Sequence, residues 1–190
     1  MSKVDLKKEL DSFSAKRGEF RVLDVPARQY LMVDGHGDPN TQQYADALAV
    51  LYPVAYALKF ASKKQLSRDY VVPPLEALWW ADDMEVFTAR VKSRWDWTAM
   101  ILTPDWIPAS MVAEARRGDV RLETFSEGRC VQTLHVGSYD DETPVIAAMH
   151  DFIAENDMAL SGKHHEIYLS DPRRVAPEKL RTILRQPVSP

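Results

Sequence analysis

A glutamate, Glu166, lies in the middle of a short apolar and aromatic run near the C-terminal end of the chain. The run has the composition of a β-strand, and alternation along a strand places Glu166 on the same face as His164 and Tyr168. A carboxylate beside an aromatic ring costs stability unless something pairs with it. We therefore predict that Glu166 either binds a cation or transfers a proton.

A second glutamate lies in a similar run, residues 73–80. Alternation places Glu76 on the same face as Trp80 and sends Trp79 to the other face, where a buried indole stabilises the core. A β-bulge after Pro74 would change this assignment, so it stays open. We predict that Glu76 is the second catalytic carboxylate, which orients water or shifts the pKa of the first.

Other aromatic residues are placed where they can contact a bound molecule. Trp95 and Trp97 share a face of the next predicted strand and form either one wall of a cleft or part of the core. Tyr44 lies on a predicted helix, where packing is the more frequent role. Tyr139 lies in an acidic turn, where it closes the site or packs on the turn. The predicted ligand-binding residues are Trp80, Trp95, Trp97, Tyr168, Tyr139, Trp79, Tyr44 and His164.

The composition excludes several classes of function. The chain has 190 residues, of which 45% are hydrophobic and 27% charged, as in an ordinary globular protein. A net charge of −4 argues against a nucleic-acid groove, because such a groove needs an excess of basic residues. No apolar run has the length of a membrane span or of a signal peptide's core. We expect a cytoplasmic protein with no nucleic-acid or membrane partner.

The other reactive groups do not define a competing site. Cys130 is the single cysteine, which excludes an internal disulfide, and its apolar context raises the pKa of a thiol. The pair His164 and Glu166 lacks the Pro-Cys-x-x-Cys motif of zinc deaminases. No glycine-rich phosphate loop or dinucleotide motif is present. We expect neither a metal nor a cofactor.

The order of predicted elements repeats within the chain. The first half contains a strand, an acidic turn with glycine, a helix from about Thr41, the strand with Glu76 and a further strand. The second half repeats this order, with a helix over 144–158 and the strand with Glu166. The pattern predicts an α+β fold with an antiparallel sheet, built by a degenerate pseudo-twofold duplication of a strand-helix-strand-strand module.

Five motifs in this order span nearly the whole chain, and together they are specific although each alone is weak. They lie at residues 34–40, 73–80, 95–101, 135–141, and 164–174 with 184–188. With these motifs the chain resembles the GyrI-like small-molecule-binding family, in particular its stand-alone members. The resemblance implies a single domain over 1–190 with half-modules at about 20–118 and 119–190. It also implies a curved sheet with helices on one face and an aromatic-lined ligand cleft on the other.

The resemblance further implies a function. Related domains bind bulky aromatic cations in multidrug-sensing regulators, and their glutamate that matches Glu166 is expected at the ligand. We therefore predict a monomer or homodimer that binds planar, apolar, often cationic small molecules and protects against xenobiotics or toxins. One alternative is a hydrolase that opens cyclopropane-bearing aromatic toxins, with Glu166 as general acid or base and its pKa raised by burial. Another is a regulator of a protein partner.

An ion pair is the main structural alternative for Glu166. Arg173, Arg174 and Arg185 lie nearby in the sequence, and structural ion pairs often imitate functional sites. An arginine bound to Glu166 would remove both the cation site and the proton-transfer group.

Overall fold

The structure of the protein is a computed structural model that describes residues 3–82 and 89–190. The chain forms two compact units. Unit 1 contains the described residues of Met1–Glu9 and Arg28–Phe125, and unit 2 contains Leu10–Ala27 and Ser126–Pro190. The assignment of both units to a single domain stays a prediction. Within the described residues, no helix has the length and apolar character that crossing a lipid bilayer requires.

The described elements confirm the prediction of an α+β fold with antiparallel strands. In chain order they are α1 (Leu6–Glu9), β1 (Arg21–Val25), β2 (Arg28–His36), α2 (Gln42–Gln65), β3 (Leu75–Trp80), β4 (Asp96–Leu102), α3 (Ala109–Ala115), β5 (Arg121–Phe125), β6 (Gly128–Val136), α4 (Thr143–Glu155), β7 (Ala159–Leu160), β8 (His164–Tyr168) and β9 (Arg181–Ser189). The series β2-α2-β3-β4 in unit 1 and the series β6-α4-β8-β9 in unit 2 share the order strand, helix, strand, strand.

Unit 1 contains an antiparallel sheet in the order β3-β4-β2-β5, against which α2 packs. The helix begins after Thr41, as predicted, and continues through Pro53. Its inner side is buried at Leu51, Val54 and Leu58, which recur at helical spacing. Burial of this apolar side holds the helix on the sheet.

The two faces of the unit 1 sheet differ in their contacts. Gly35, Trp97 and Trp79 lie directly opposite one another on neighbouring strands, so their side chains share a face. Tyr44 of α2 packs against both indoles, which makes this the helix-covered face. A Cβ at position 35 would overlap the Trp97 ring, so this strand position requires glycine.

Unit 2 contains an antiparallel sheet in the order β1-β6-β9-β8, with β7 also paired to β9. Its core joins Val131 and Leu184 of the sheet to Met149 and Ile153 of α4. Glu166 lies directly opposite Leu184 in the pairing of β8 with β9, so the two side chains share a face. Glu166 is therefore on the helix-covered face of its unit.

Candidate functional site

Glu166 is held by two side chains of its own strand, as alternation along β8 predicts. The Tyr168 hydroxyl donates a hydrogen bond of 2.6 Å to Oε2 of Glu166. On the other side, Nε2 of His164 lies 3.3 Å from Oε1. The Glu166 side chain is only 13% exposed. The carboxylate is thus fixed in orientation and largely shielded from water.

The segment that leads into α4 supplies two further side chains to this site. Glu142, at the N-cap position of α4, is buried and hydrogen-bonds the Glu166 carboxylate. Tyr139 makes an edge-to-face contact with Tyr168, with ring centroids 5.6 Å apart. The candidate site of unit 2 therefore contains side chains from β8 and from the segment that leads into α4. Tyr139 was predicted from sequence, whereas Glu142 was not.

The pKa of Glu166 is lowered, so the expectation of a raised pKa is wrong. Burial raises it, but the contact with His164, the charge on that imidazole and the hydrogen bonds from Tyr168 and Glu142 together outweigh burial. Alternation predicts that His164 and Tyr168 share the face of Glu166, but it does not predict that their contacts outweigh burial. Glu166 is consequently an ionised group, suited to accept a proton and unsuited to donate one in the resting site.

The arginines proposed as alternative partners of Glu166 lie elsewhere. Arg185 alternates with Leu184 along β9, so it lies on the face opposite to Glu166. Arg173 pairs with Asp171 at 2.9 Å. Arg174 pairs with the same carboxylate at 3.8 Å.

Arg185 belongs to a buried charge network that the sequence analysis missed. Its Nη1 donates to Glu127 at 2.7 Å, and His165 Nδ1 lies 2.8 Å from the same carboxyl group. The Glu127 side chain is 1% exposed. Burial raises the pKa of Glu127, but the charges of His165 and Arg185 and their hydrogen bonds outweigh it and hold that pKa at about 2. This network lies on the face of the unit 2 sheet that is opposite to the candidate site.

Glu76 is buried within unit 1, on the face that α2 does not cover. It lies opposite Met100, and the register confirms that Trp80, and not Trp79, shares its face. Trp80 lies opposite Asp96, whose carboxylate contacts Nδ1 of His36 at 2.8 Å. The catalytic role of Glu76 stays a prediction.

The other predicted aromatic residues of unit 1 form one cluster on the α2 side. The ring centroid of Tyr44 lies 4.9 Å from that of Trp97 and 5.8 Å from that of Trp79. Trp95 contacts Trp79 edge-on at 5.8 Å. Trp97 and Trp79 are buried, which favours the core alternative for these two. Within unit 1, the predicted residues thus lie on two different faces of the sheet.

The two glutamates differ in their relation to the local helix. Glu166 is on the face of its sheet that packs against α4, whereas Glu76 is on the face that is turned away from α2. Their similar sequence contexts therefore do not correspond to equivalent positions in the two units.

The described residues contain no group of three or more histidine, cysteine and acidic side chains arranged to hold a metal ion. Cys130 is buried in β6. Burial, with the nearby negative charge of Glu127, raises the pKa of the Cys130 thiol to about 12, as predicted in direction. This thiol is not an activated nucleophile.

A groove with a volume of about 520 Å³ lies within unit 2 beside α4. Its lining includes Arg17, Phe20, Thr133, His135 and Val145. None of the residues predicted for the site lines it.

The chain belongs to the GyrI-like small molecule binding domain family, whose model matches residues 18–189. This confirms the family resemblance drawn from the motifs. It also supports small-molecule binding as the general function of the fold.

Solved structures agree with this assignment. An uncharacterized conserved protein from Listeria innocua is 38% identical, with 98% of this chain and 100% of that chain covered and a TM-score of 0.91. A structure described as a hydrolase from Listeria innocua is also 38% identical over 98% and 100%, with a TM-score of 0.85. The C-terminal domain of EcmrR shares the fold at 11% identity, with coverage of 90% and 97% and a TM-score of 0.62. A search of curated proteins gave no match.

Proposed function

We propose that the protein hydrolyses aromatic small molecules that carry a strained, electrophilic ring, with Glu166 as the base that activates water. The observation that carries this proposal is that Tyr168 and His164 hold the Glu166 carboxylate in a site that is largely shielded from water, with contacts that lower its pKa. A base must be unprotonated and fixed in direction, and these contacts supply both conditions.

The same contacts favour proton transfer over simple attraction of a cation. Both oxygens of Glu166 already have neighbours, since Oε2 accepts the Tyr168 hydroxyl and Oε1 lies 3.3 Å from the His164 imidazole. A carboxylate has about four lone-pair sites, so each oxygen can still accept a hydrogen bond from water. Glu166 is therefore better equipped to orient water than to bind an organic cation.

The rings beside Glu166 supply a surface for the aromatic body of a substrate. Tyr139 and Tyr168 are both partly exposed and contact each other edge to face. Such an arrangement leaves apolar ring surface available for stacking against a planar compound.

The comparison with Listeria innocua supports the reaction class, since a structure described as a hydrolase matches this chain over nearly its full length at 38% identity. A cyclopropane-bearing aromatic compound is the substrate class that the motif resemblance implies. Opening of such a ring by water removes the electrophile, so the activity would protect a cell against that class of toxin.

The test is turnover of a cyclopropane-bearing aromatic compound, with the hydrated product followed by mass spectrometry. We expect Glu166→Gln to lower kcat by about 10²–10⁴-fold, because the amide cannot take up the proton. Glu155→Gln changes an exposed carboxylate at the end of α4 and serves as the matched control. Full turnover by Glu166→Gln would refute the assigned role.

Binding without turnover is the second candidate function, and the family's description as a small-molecule-binding domain favours it. In that case a cationic aromatic dye would bind the wild-type protein more tightly than Glu166→Gln, with no product formed from any cyclopropane-bearing compound. Equal affinity of the dye for both proteins would exclude an electrostatic role of Glu166 in binding.

A further inference from the structure

Two carboxyl groups meet at the candidate site of unit 2. Glu142 comes from the beginning of α4 and Glu166 from the middle of β8, and the two side chains are hydrogen-bonded to each other. Glu142 is 5% exposed as a residue, and the Glu166 side chain is 13% exposed. A hydrogen bond between two carboxyl groups requires a proton on one of them, because an ionised carboxylate has only acceptor atoms.

We infer that Glu142 and Glu166 hold one proton between them and that Glu142 is the proton donor of the site. The donor role rests on the proposed hydrolase function, whereas the shared proton does not. Two carboxylates in contact and shielded from water repel each other strongly enough to prevent both from ionising. The pair therefore has one acid and one base.

The neighbours of the pair decide which carboxyl group keeps the proton. Tyr168 donates its hydroxyl hydrogen to Glu166, and Nε2 of His164 lies 3.3 Å from the other oxygen of the same carboxyl group. Both contacts stabilise the ionised form of Glu166. The proton consequently resides on Glu142.

The remaining titratable groups around the pair do not change this distribution. Tyr139 contacts the Tyr168 ring from the segment before α4. His150 of α4 has an Nε2 atom with no hydrogen-bond partner among the described residues. Burial and the charge of His164 lower the pKa of His150, so its imidazole is neutral. The two carboxyl groups are therefore the ones that share a transferable proton at this site.

The shared proton gives a balanced route for ring opening. Consider an aromatic compound whose cyclopropane is conjugated to a carbonyl group. Water attacks a ring carbon as Glu166 takes one of its protons, the new C–O bond forms, and the strained C–C bond breaks. The electron pair of the broken bond moves through the conjugated system onto the carbonyl oxygen, which receives the proton of Glu142. The product is the ring-opened compound, whose composition is that of the substrate with one water molecule added.

The hydrogen bond between the two carboxyl groups also restores the enzyme. After the reaction, Glu166 holds the proton from water and Glu142 is ionised. Transfer of that proton from Glu166 to Glu142 returns both groups to their starting states without exchange with solvent. Tyr168 and His164 favour this transfer because they stabilise the ionised form of Glu166.

The proton count is tested by NMR on protein labelled with ¹³C at the glutamate carboxyl carbons. The signals of Glu142 and Glu166 are assigned by their loss in Glu142→Gln and Glu166→Gln, and the exposed Glu155 is the reference. We expect the Glu142 carbon to keep the shift of a protonated carboxyl group at a pH where Glu155 is fully ionised. In Glu166→Gln this separation should largely disappear, because the neighbouring negative charge is gone. Titration of Glu142 and Glu166 together with Glu155 would overturn the inference.

The donor role is tested with Glu142→Gln, whose amide can still donate a hydrogen bond to Glu166 but cannot deliver a proton. With a cyclopropane-bearing aromatic ketone as probe, we expect kcat to fall about 10²-fold with little change in KM. The alkaline limb of the pH profile should also disappear, because the group responsible for it has been removed. An unchanged pH profile would show that another group is the donor.

The two measurements separate failure of this inference from failure of the proposed function. If the wild-type protein opens no cyclopropane-bearing probe, the hydrolase proposal fails and the donor role fails with it. The NMR titration then still decides whether the two carboxyl groups share a proton. If the probe is hydrolysed but both groups titrate independently, the inference alone is refuted.

Discussion

Unit 1 and unit 2 use the same order of strand, helix, strand and strand, yet they differ in where a mid-strand glutamate lies relative to the unit's own helix. In unit 2, the helix-covered face carries Glu166 together with Glu142 from the start of α4. In unit 1, the corresponding face carries Trp79 and Trp97 against Tyr44. One unit thus places ionisable groups between helix and sheet, where the other places aromatic rings.

The difference arises from the alternation of side chains along each strand. Side chains alternate along a strand, so a shift of one residue moves a carboxylate from one face to the other. The Glu76 and Glu166 runs look alike in composition, but their alternation relative to the helix differs. Similar composition therefore does not establish equivalent function in the two units.

The largest effect is expected from exchanging each glutamate for glutamine. Under the proposed function, Glu166→Gln lowers kcat by about 10²–10⁴-fold, whereas Glu76→Gln lowers it by less than about tenfold. The reason is that Glu76 lies opposite Met100, on the face turned away from α2, whereas Glu166 is held by Tyr168 and His164 on the helix-covered face of its unit. Steady-state kinetics of both variants, with thermal melts as a control for folding, provides the measurement. Equal losses of kcat in the two variants would contradict the proposed difference between the two glutamates.

The buried charge network of unit 2 should matter more for stability than the partly exposed ion pairs that Arg121 makes with Asp34 and Glu123 in unit 1. Glu127→Gln leaves Arg185 buried without its anionic partner. We therefore expect the free energy of unfolding to be about 3–5 kcal/mol lower than in the wild type. Asp34→Asn removes one of the two carboxylates that contact Arg121, whose side chain is 35% exposed, and should change stability by less than about 1 kcal/mol. Urea unfolding of both variants makes the comparison, and a larger effect at position 34 would contradict it.

Acid should weaken the same network. The pKa of Glu127 is about 2 in the folded protein, below its ordinary value of 4.5. Its contribution is therefore complete above about pH 4.5 and is lost progressively as the pH falls toward 2. The difference in urea midpoint between the wild type and Glu127→Gln, followed from pH 6 to pH 2.5, isolates this group. A difference that stays constant over that range would show that Glu127 does not titrate with a lowered pKa.

A smaller effect is expected where the aromatic core of unit 1 meets β2. Gly35→Ala places a methyl group in the space of the Trp97 ring and should destabilise the protein by about 1–3 kcal/mol. Trp97→Phe in the Gly35→Ala background should recover part of this loss, because the smaller ring frees space. A double-mutant cycle measured by urea unfolding gives the coupling. Additive effects of the two changes would exclude the contact as the cause.

The sequence predicted those features that depend on local periodicity. Alternation placed His164 and Tyr168 beside Glu166, and it placed Trp80 on the face of Glu76. Helical spacing and a turn at Thr41 located α2. The motifs gave the family, because their order along the chain is specific.

The features that were missed depend on contacts between distant segments. Glu142 lies 24 positions before Glu166, and Glu127 lies 58 positions before Arg185. No local pattern records such a pairing. The sign of the Glu166 pKa shift was missed because alternation predicts which side chains share a face, but not whether their hydrogen bonds to an anion outweigh its burial.

The location of the aromatic core has a spectroscopic consequence. All five tryptophans of the chain lie in unit 1, two of them buried beside Tyr44. Intrinsic indole fluorescence is therefore a reporter of one unit, and the other is silent at emission wavelengths selective for tryptophan. Comparison of fluorescence-detected and circular-dichroism melting curves would show whether both units lose their structure in one cooperative transition or in two.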